Sequence, residues 1–401
     1  MSEFNELTIS SNIEIKKNNN PNNNEIIDNN NLKTQIPNIK VRDNIWDNYK
    51  GILIFLVVYA HFLWEYSEKY KNTKIDYLVT FIYIFHMPAF IFCSGFFSQS
   101  TNSKSRQSIS KLLIHYIIFN TLLMVYEYYY HKDLPNIFNP QNSYWYLFSL
   151  ISWRMIIPYF DNEYFLILKS LFIGLIVGYD KNFTMNLLSF KRTFAFFPFF
   201  VLGYKIKKKH FKRLFNLTNK LFIKIIFIIT FFTYSYILYN DIKKRKINFT
   251  HNMLLMGFFD KNNEILKRIQ LFIISLIMIF LLLFSLPNKK IPIITMIGRN
   301  SLYIYLFHRV FTLLFFQYYQ YKINLVQIME KSLKGTIIIV IVFGNDYITK
   351  IMNLFVDFLY INISLNNKKG RFIKLIFFLL LILIILSKPI HEKYNSNKKN
   401  I

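Results

Sequence analysis

The sequence predicts an all-α membrane protein with about ten or eleven transmembrane helices. Of its 401 residues, 53% are hydrophobic and 19% are aromatic. The apolar residues fall into many runs separated by short basic loops, and an α-helix needs a run of about 20 such residues to cross a bilayer. Composition and run length therefore favour a multi-pass membrane protein over a soluble globular one.

The chain divides into a polar tail, a membrane domain and a C-terminal segment. Residues 1–40 are rich in asparagine and hold no apolar stretch typical of a signal peptide, so we expect a disordered cytosolic tail. Residues 41–360 form the predicted membrane domain, and residues 361–401 allow one additional span and a polar tail. The candidate spans lie near residues 46–65, 77–97, 111–130, 144–160, 163–179, 193–206, 219–239, 268–287, 300–320, 335–358 and 371–388.

The basic residues predict topology rather than nucleic-acid binding, although the formal net charge is +27 at pH 7. Most lie in short loops between apolar runs, and such loops are usually cytosolic. The basic loops near residues 104–111, 205–220 and 289–299 fall on one side, which places the N-terminus in the cytosol. Cys93 is the only cysteine, so the chain has no intramolecular disulfide and no cysteine-built metal site.

The first span joins a lysine at its start to a histidine inside it. Lys50 and His61 are eleven positions apart, which puts both on one helix face, roughly 16 Å apart along the axis. An ionisable side chain inside a membrane span is costly, so function is its usual explanation. We predict that Lys50 and Arg42 attract an anionic cofactor and that His61 transfers protons. The alternatives are basic residues at a span end and a histidine packed between helices.

Three further spans place a basic or titratable group at a similar depth. His86 lies in the second predicted span, Arg154 in the fourth and His308 in the ninth. We predict that His86 and Arg154 act in catalysis beside His61, where either would stabilise developing negative charge. His308 is a further candidate for the site. The alternative for each is structural, as a packed histidine or a paired arginine.

The predicted tenth span, 335–358, carries two opposite charges. Asp346 and Lys350 are four positions apart, so they are neighbours on a helix surface. We expect them to neutralise each other within the membrane rather than to form part of a site.

Five sequence blocks follow one another along alternating spans. They are Arg42…Lys50-Gly-Ile…His61, Phe85-His-Met-Pro-Ala-Phe-Ile-Phe-Cys-Ser-Gly95, Trp145-Tyr-Leu…Trp153-Arg154, Phe196-Phe-Pro-Phe-Phe-Val-Leu-Gly-Tyr204 and Ile297-Gly-Arg-Asn-Ser-Leu-Tyr-Ile-Tyr-Leu-Phe-His308. With these blocks, roughly residues 42–360 resemble the acyltransferase-three family of integral-membrane O-acyltransferases, closest to its fucose 4-O-acetylase-like branch. The family's first-span signature is a basic residue, ten intervening residues and a histidine, and Lys50 and His61 match it.

The resemblance implies an enzyme that moves an acyl group, usually acetyl from cytosolic acetyl-CoA, to a hydroxyl. The acceptor would be a carbohydrate or another hydroxyl compound, commonly on the far side of the membrane. CoA phosphates would bind near Lys50 and Arg42, and His61 would accept the hydroxyl proton. Many relatives carry a Trp-Ser-Leu…Glu-Glu element in this region, whereas residues 143–154 contain no carboxylate here. That departure fits the fucose-acetylase-like branch.

Two other classes remain open from the sequence. A secondary transporter or proton-coupled channel also uses histidine and arginine inside the membrane as a proton relay. The sequence shows no internal repeat, which disfavours transporters built from duplicated halves. The second class is a non-catalytic relative with the same fold, and the retained Lys50 and His61 argue against it.

Overall fold

In the computed structural model, nearly all of the described residues belong to helices. The described residues are 43–70, 73–99, 103–131, 139–160, 165–177, 187–207, 209, 211, 221–243, 264–318 and 324–364. Within them the structure contains twelve α-helices and no β-strand, which confirms the all-α prediction. Arg42, the predicted N-terminal tail and the predicted span near 371–388 lie outside the described residues.

The helices follow the predicted spans closely over most of the chain. They are α1 (Asn44–Tyr70), α2 (Thr73–Phe97), α3 (Ser103–His131), α4 (Trp145–Ile156), α5 (Leu166–Ile176), α6 (Phe190–Lys205), α7 (Leu221–Lys243), α8 (Glu264–Ser285), α9 (Pro292–Arg299), α10 (Ser301–Tyr318), α11 (Leu325–Phe343) and α12 (Asp346–Ser364). Each predicted span from 46–65 to 300–320 coincides with one of these helices. Stretches of α2, α3 and α8 are long and apolar enough to cross a membrane by length and composition.

The centre of the bundle is built on close contacts between helix backbones. A Cβ atom added at Gly95 of α2 would collide with the Phe200 carbonyl oxygen of α6, and one at Gly203 would collide with the Phe92 carbonyl oxygen. Small residues allow such approach between membrane helices. Both contacts join the C-terminal parts of α2 and α6, so these helices run parallel. Gly298 of α9 makes a similar close contact with α1, because a Cβ atom added there would collide with the Asp47 carbonyl oxygen.

The predicted tenth span is wrong as a single helix. Helix α11 ends at Phe343, Gly344 and Asn345 follow, and α12 begins at Asp346. The Arg299 guanidinium donates to the Asp346 carboxylate over 2.8 Å, so Asp346 pairs between helices rather than with Lys350 on its own helix. The spacing of Asp346 and Lys350 predicted a pair within one helix, because spacing along the sequence carries no information on partners from other helices.

Helix α12 contacts two other helices of the bundle through polar side chains. Its Asn353 accepts a hydrogen bond from Tyr303 near the start of α10 at 2.6 Å, and its Asp357 pairs with Lys111 near the start of α3 at 2.5 Å. His115 of α3 contacts the same Tyr303 hydroxyl at 3.2 Å. Helix α12 therefore packs against the N-terminal parts of α3 and α10.

Candidate functional site

A cavity of about 200 Å³ opens between the helices of the bundle, and we call it the His61 cavity. Its walls come from α1, α2, α6 and α10 and from the residues at and before the start of α4. Its ionisable lining residues are His61, Tyr83, His86, Arg192, Tyr305 and Arg309. This density of polar groups within an apolar bundle marks the cavity as the candidate site.

His61 is brought beside two other ring side chains. Its imidazole centroid lies 5.0 Å from that of His308 on α10. The Tyr83 hydroxyl of α2 lies 3.3 Å from His61 Nδ1. His61 is partly exposed, whereas His86 and His308 are buried. His61 and His86 therefore line the cavity, and His308 packs beside His61 without lining it.

The hydrogen bonds of the two buried histidines define their neutral tautomers. His308 Nδ1 lies 2.6 Å from the Tyr305 carbonyl oxygen, and His86 Nδ1 lies 2.8 Å from that of Ile82. Because a carbonyl oxygen only accepts, each Nδ1 carries the proton and each Nε2 keeps a lone pair. Both Nε2 atoms are buried without a hydrogen-bond partner among the described residues. Each is therefore available as a base or an acceptor.

One arginine of the cavity is held by a carboxylate. Arg309 of α10 donates from Nη1 to the Glu65 carboxylate of α1 at 2.6 Å. Its Nη2 donates to the Asn142 side-chain oxygen at 3.0 Å, and Asn142 in turn donates to Glu127 of α3 at 3.1 Å. Asn142 adopts a left-handed backbone conformation with φ 46°. This chain of bonds ties three helices to the segment before α4.

The other arginine of the cavity has no such partner. Arg192 lies near the start of α6 with its guanidinium 5.5 Å from the centroid of the Trp145 ring. Its Nε is buried, and the structure shows no hydrogen bond or ion pair for it within the described residues. The sequence offered one signal for it, since Arg192 is one helical turn before the Phe196 motif. The span prediction nevertheless began at residue 193 and left Arg192 outside.

Arg154 does not reach the His61 cavity. Its guanidinium donates to the hydroxyls of Ser98, at 3.0 Å, and Ser108, at 3.1 Å. Ser98 is twelve residues beyond His86, which corresponds to roughly 18 Å along a helix. The predicted depth of Arg154 is wrong because α4 begins beside the cavity, at Trp145, rather than at a membrane surface. Nine residues later the helix has left the cavity.

Lys50 lies at the same end of the bundle as Arg154. Its Nζ is 2.9 Å from the Asp47 carboxylate and 5.5 Å from the centroid of the Phe97 ring. Phe97 directly precedes Ser98, the partner of Arg154. We call this region, which also holds Asp47, the Lys50 end. The structure places Lys50 and His61 on one helix, α1.

Comparison with known families decides the class of the protein. The acyltransferase-3 family model, described as an acyltransferase domain, matches residues 43–344. The chain belongs to the acyltransferase-3 family. No curated protein and no solved structure gives a match to it. The family match ends at Gly344, the residue that follows the end of α11.

The acyltransferase is a multi-pass membrane protein, and its cavity offers basic groups of two kinds. Neutral imidazoles accept protons near pH 7, and a guanidinium stays positive throughout that range. The described residues contain no group of three histidine, cysteine or acidic side chains that would hold a metal ion. The cavity places groups that are able to act as general bases beside a fixed positive charge.

Proposed function

We propose that this membrane acyltransferase is an O-acetyltransferase of the fucose 4-O-acetylase-like branch. It would move an acetyl or other short acyl group from acyl-CoA to a carbohydrate hydroxyl. The observation that carries the proposal is the His61 cavity, where an accessible imidazole lies 5.0 Å from a second imidazole and shares its space with an unpaired guanidinium. This set can take up a hydroxyl proton and tolerate a developing negative charge.

The donor would bind between the Lys50 end and the cavity. Lys50 and Arg154 both lie beside the end of α2, and phosphate groups favour such cations. Arg42 would add a third cation from the segment before α1. His61 lies roughly 16 Å further along α1 from Lys50, so an extended pantetheine arm would carry the thioester from one region to the other. The Lys50 end would then face the cytosol, as the basic loops predict.

Acyl transfer would proceed through attack of the acceptor hydroxyl on the thioester carbonyl carbon. The hydroxyl proton passes to His61 as the new carbon–oxygen bond forms, and the carbon–sulfur bond then breaks. His61 returns the proton to the departing CoA sulfur, so the imidazole ends neutral. The Tyr83 hydroxyl, 3.3 Å from Nδ1, orients the ring. His308 packs beside the His61 ring, with 5.0 Å between their centroids, and limits its rotation.

The test is turnover of radiolabelled acetyl-CoA by the purified full-length protein in liposomes, with carbohydrate acceptors added. His61→Ala should lower the rate about 10²–10⁴-fold, the range for loss of a general base. The matched control is His115→Ala, because His115 is a buried histidine of α3 that bonds Tyr303 and the Lys111 carbonyl outside the cavity. The control should keep most of the activity.

Two results would count against this proposal. Wild-type protein that neither binds nor turns over acyl-CoA would remove the donor assignment. Proton-coupled solute flux in the same liposomes would then favour the transporter class. An active wild type with an equally active His61→Ala variant would instead remove His61 from the mechanism and leave the acyltransferase class intact.

A further inference from the structure

The charge balance of the His61 cavity leaves one cation uncompensated. Glu65 pairs with Arg309 at 2.6 Å. Among the described residues, no carboxylate pairs with the other cavity arginine, Arg192. In their neutral form the imidazoles add no charge to this balance. Arg192 therefore adds a net positive charge that no described side chain cancels.

An uncompensated guanidinium inside a membrane domain is expensive to maintain. Burial of an ion without a partner costs free energy, and inside membrane proteins such groups face a cavity, an ion pair or a ligand. Arg192 faces a cavity. Its position above the Trp145 ring, 5.5 Å from the centroid, holds the planar cation by a cation–π contact without neutralising it. The fold thus orients the charge and keeps it available.

We propose that Arg192 stabilises the oxyanion that forms on the acyl carbonyl oxygen during transfer. This role rests on the acyl transfer proposed above. As the acceptor oxygen attacks, the π electrons of the carbonyl move to its oxygen, and the guanidinium N–H groups donate to that oxygen. When the carbonyl re-forms, the carbon–sulfur bond breaks and the negative charge leaves on sulfur, which takes the proton held by His61.

The other basic groups fit this task less well. His86 uses its Nδ1 proton on the Ile82 carbonyl, so its Nε2 lone pair would repel an oxyanion. Arg154 donates to Ser98 and Ser108 away from the cavity. Arg309 already has a carboxylate partner, which offsets its charge. Arg192 remains as the cation with free donors inside the cavity.

The test compares Arg192→Gln and Arg192→Lys with wild type in steady-state acetyl-CoA turnover. The glutamine variant should lower kcat about 10²–10³-fold, as loss of one oxyanion donor does. The KM values for donor and acceptor should change less than about threefold, because the interaction exists in the transition state. The kcat of Arg192→Lys should fall between those of wild type and Arg192→Gln. Lysine keeps the positive charge but lacks the planar set of guanidinium N–H donors.

A matched arginine outside the cavity controls for loss of packing. Arg268 of α8 is 4% exposed and donates from Nη1 to the Gly174 carbonyl oxygen at 2.9 Å. Arg268→Gln should lower the melting temperature and leave kcat of the folded fraction close to wild type. Guanidinium ion added to an Arg192→Ala variant should restore part of kcat, a response that a purely structural role would not give.

The outcomes separate this inference from the proposed function. Wild type without acyl-CoA turnover would count against the function itself. Active wild type with a kcat within about threefold in Arg192→Gln would overturn the role of Arg192 alone. A raised acceptor KM at unchanged kcat would also overturn it, since that pattern means ground-state binding of an anionic acceptor. If the glutamine variant does not fold, a wild-type kcat in Arg192→Lys together with no guanidinium rescue is the overturning result.

Discussion

Basic side chains at the Lys50 end and in the His61 cavity are placed in opposite electrostatic settings. Lys50 at the Lys50 end and two cations of other helices meet carboxylates within 3 Å, in the pairs Lys50–Asp47, Arg299–Asp346 and Lys111–Asp357. In the cavity, Arg192 has no anionic partner among the described residues. The difference shows that a cation of this fold is either balanced by a nearby carboxylate, as Lys50 is, or left without one in the cavity, as Arg192 is, where a ligand can supply the anion.

Arg309 lines the cavity as Arg192 does, yet it is paired with a carboxylate as Lys50 is. The largest expected effect on stability therefore comes from removing its partner. Its guanidinium is 9% exposed and its partner Glu65 is 18% exposed. Glu65→Ala should lower the free energy of unfolding by about 3 kcal/mol, because it leaves Arg309 buried without a carboxylate. Melting temperatures in one detergent would measure this. Glu65→Gln, which keeps an acceptor, should lose less. Wild-type melting of Glu65→Ala would show that Arg309 tolerates isolation as Arg192 does.

Lys50 should show an intermediate effect, and on binding rather than on chemistry. Lys50→Ala should raise the KM for acyl-CoA about tenfold, since a charge-assisted contact to phosphate is worth roughly 1.5–3 kcal/mol. The value of kcat should change less than about threefold. Lys334→Ala is the control, because Lys334 is 69% exposed and pairs only locally with Glu330. A fall in kcat at constant KM would instead place Lys50 in the chemical step. It would contradict the assignment of donor binding to the Lys50 end and chemistry to the His61 cavity.

The smallest effect is expected at the exposed pair between α9 and α12. Arg299 and Asp346 are 38% and 59% exposed, so water screens their attraction. Asp346→Ala should change the free energy of unfolding by less than about 1 kcal/mol. Melting curves at low and high salt would measure it, and the difference from wild type should shrink as salt is added. A loss as large as that of Glu65→Ala would contradict the distinction between exposed and enclosed pairs.

The histidines show where reasoning from the sequence succeeded. His61, His86 and His308 were expected at one depth from counting along their spans, and the structure brings His61 and His86 to one cavity, with His308 packed beside His61. Counting works there because α1, α2 and α10 are long helices with a constant rise per residue. The sequence could not show that His61 and His308 would become ring neighbours, because lateral packing is not encoded in any single helix.

The arginines show where it failed. Arg154 was assigned the depth of His61, yet α4 starts at the cavity wall and carries Arg154 away from it. Arg192 was left outside the predicted span 193–206, yet it lines the cavity. Both errors come from treating every apolar run as a helix that starts at a membrane surface. Short helices such as α4 begin wherever the tertiary fold allows.

The sequence by itself determined the helical class, most helix positions and the spacing of Lys50 and His61 on α1. These depend on local hydrophobicity and on the regular rise of a helix, which neighbouring residues dictate. Only the tertiary structure decided that Arg309 meets Glu65, that Arg192 meets no carboxylate in the described structure and that Asn353 of α12 meets Tyr303 of α10. Those outcomes depend on which helix faces touch, because an ion pair across helices forms only when packing brings both partners within reach.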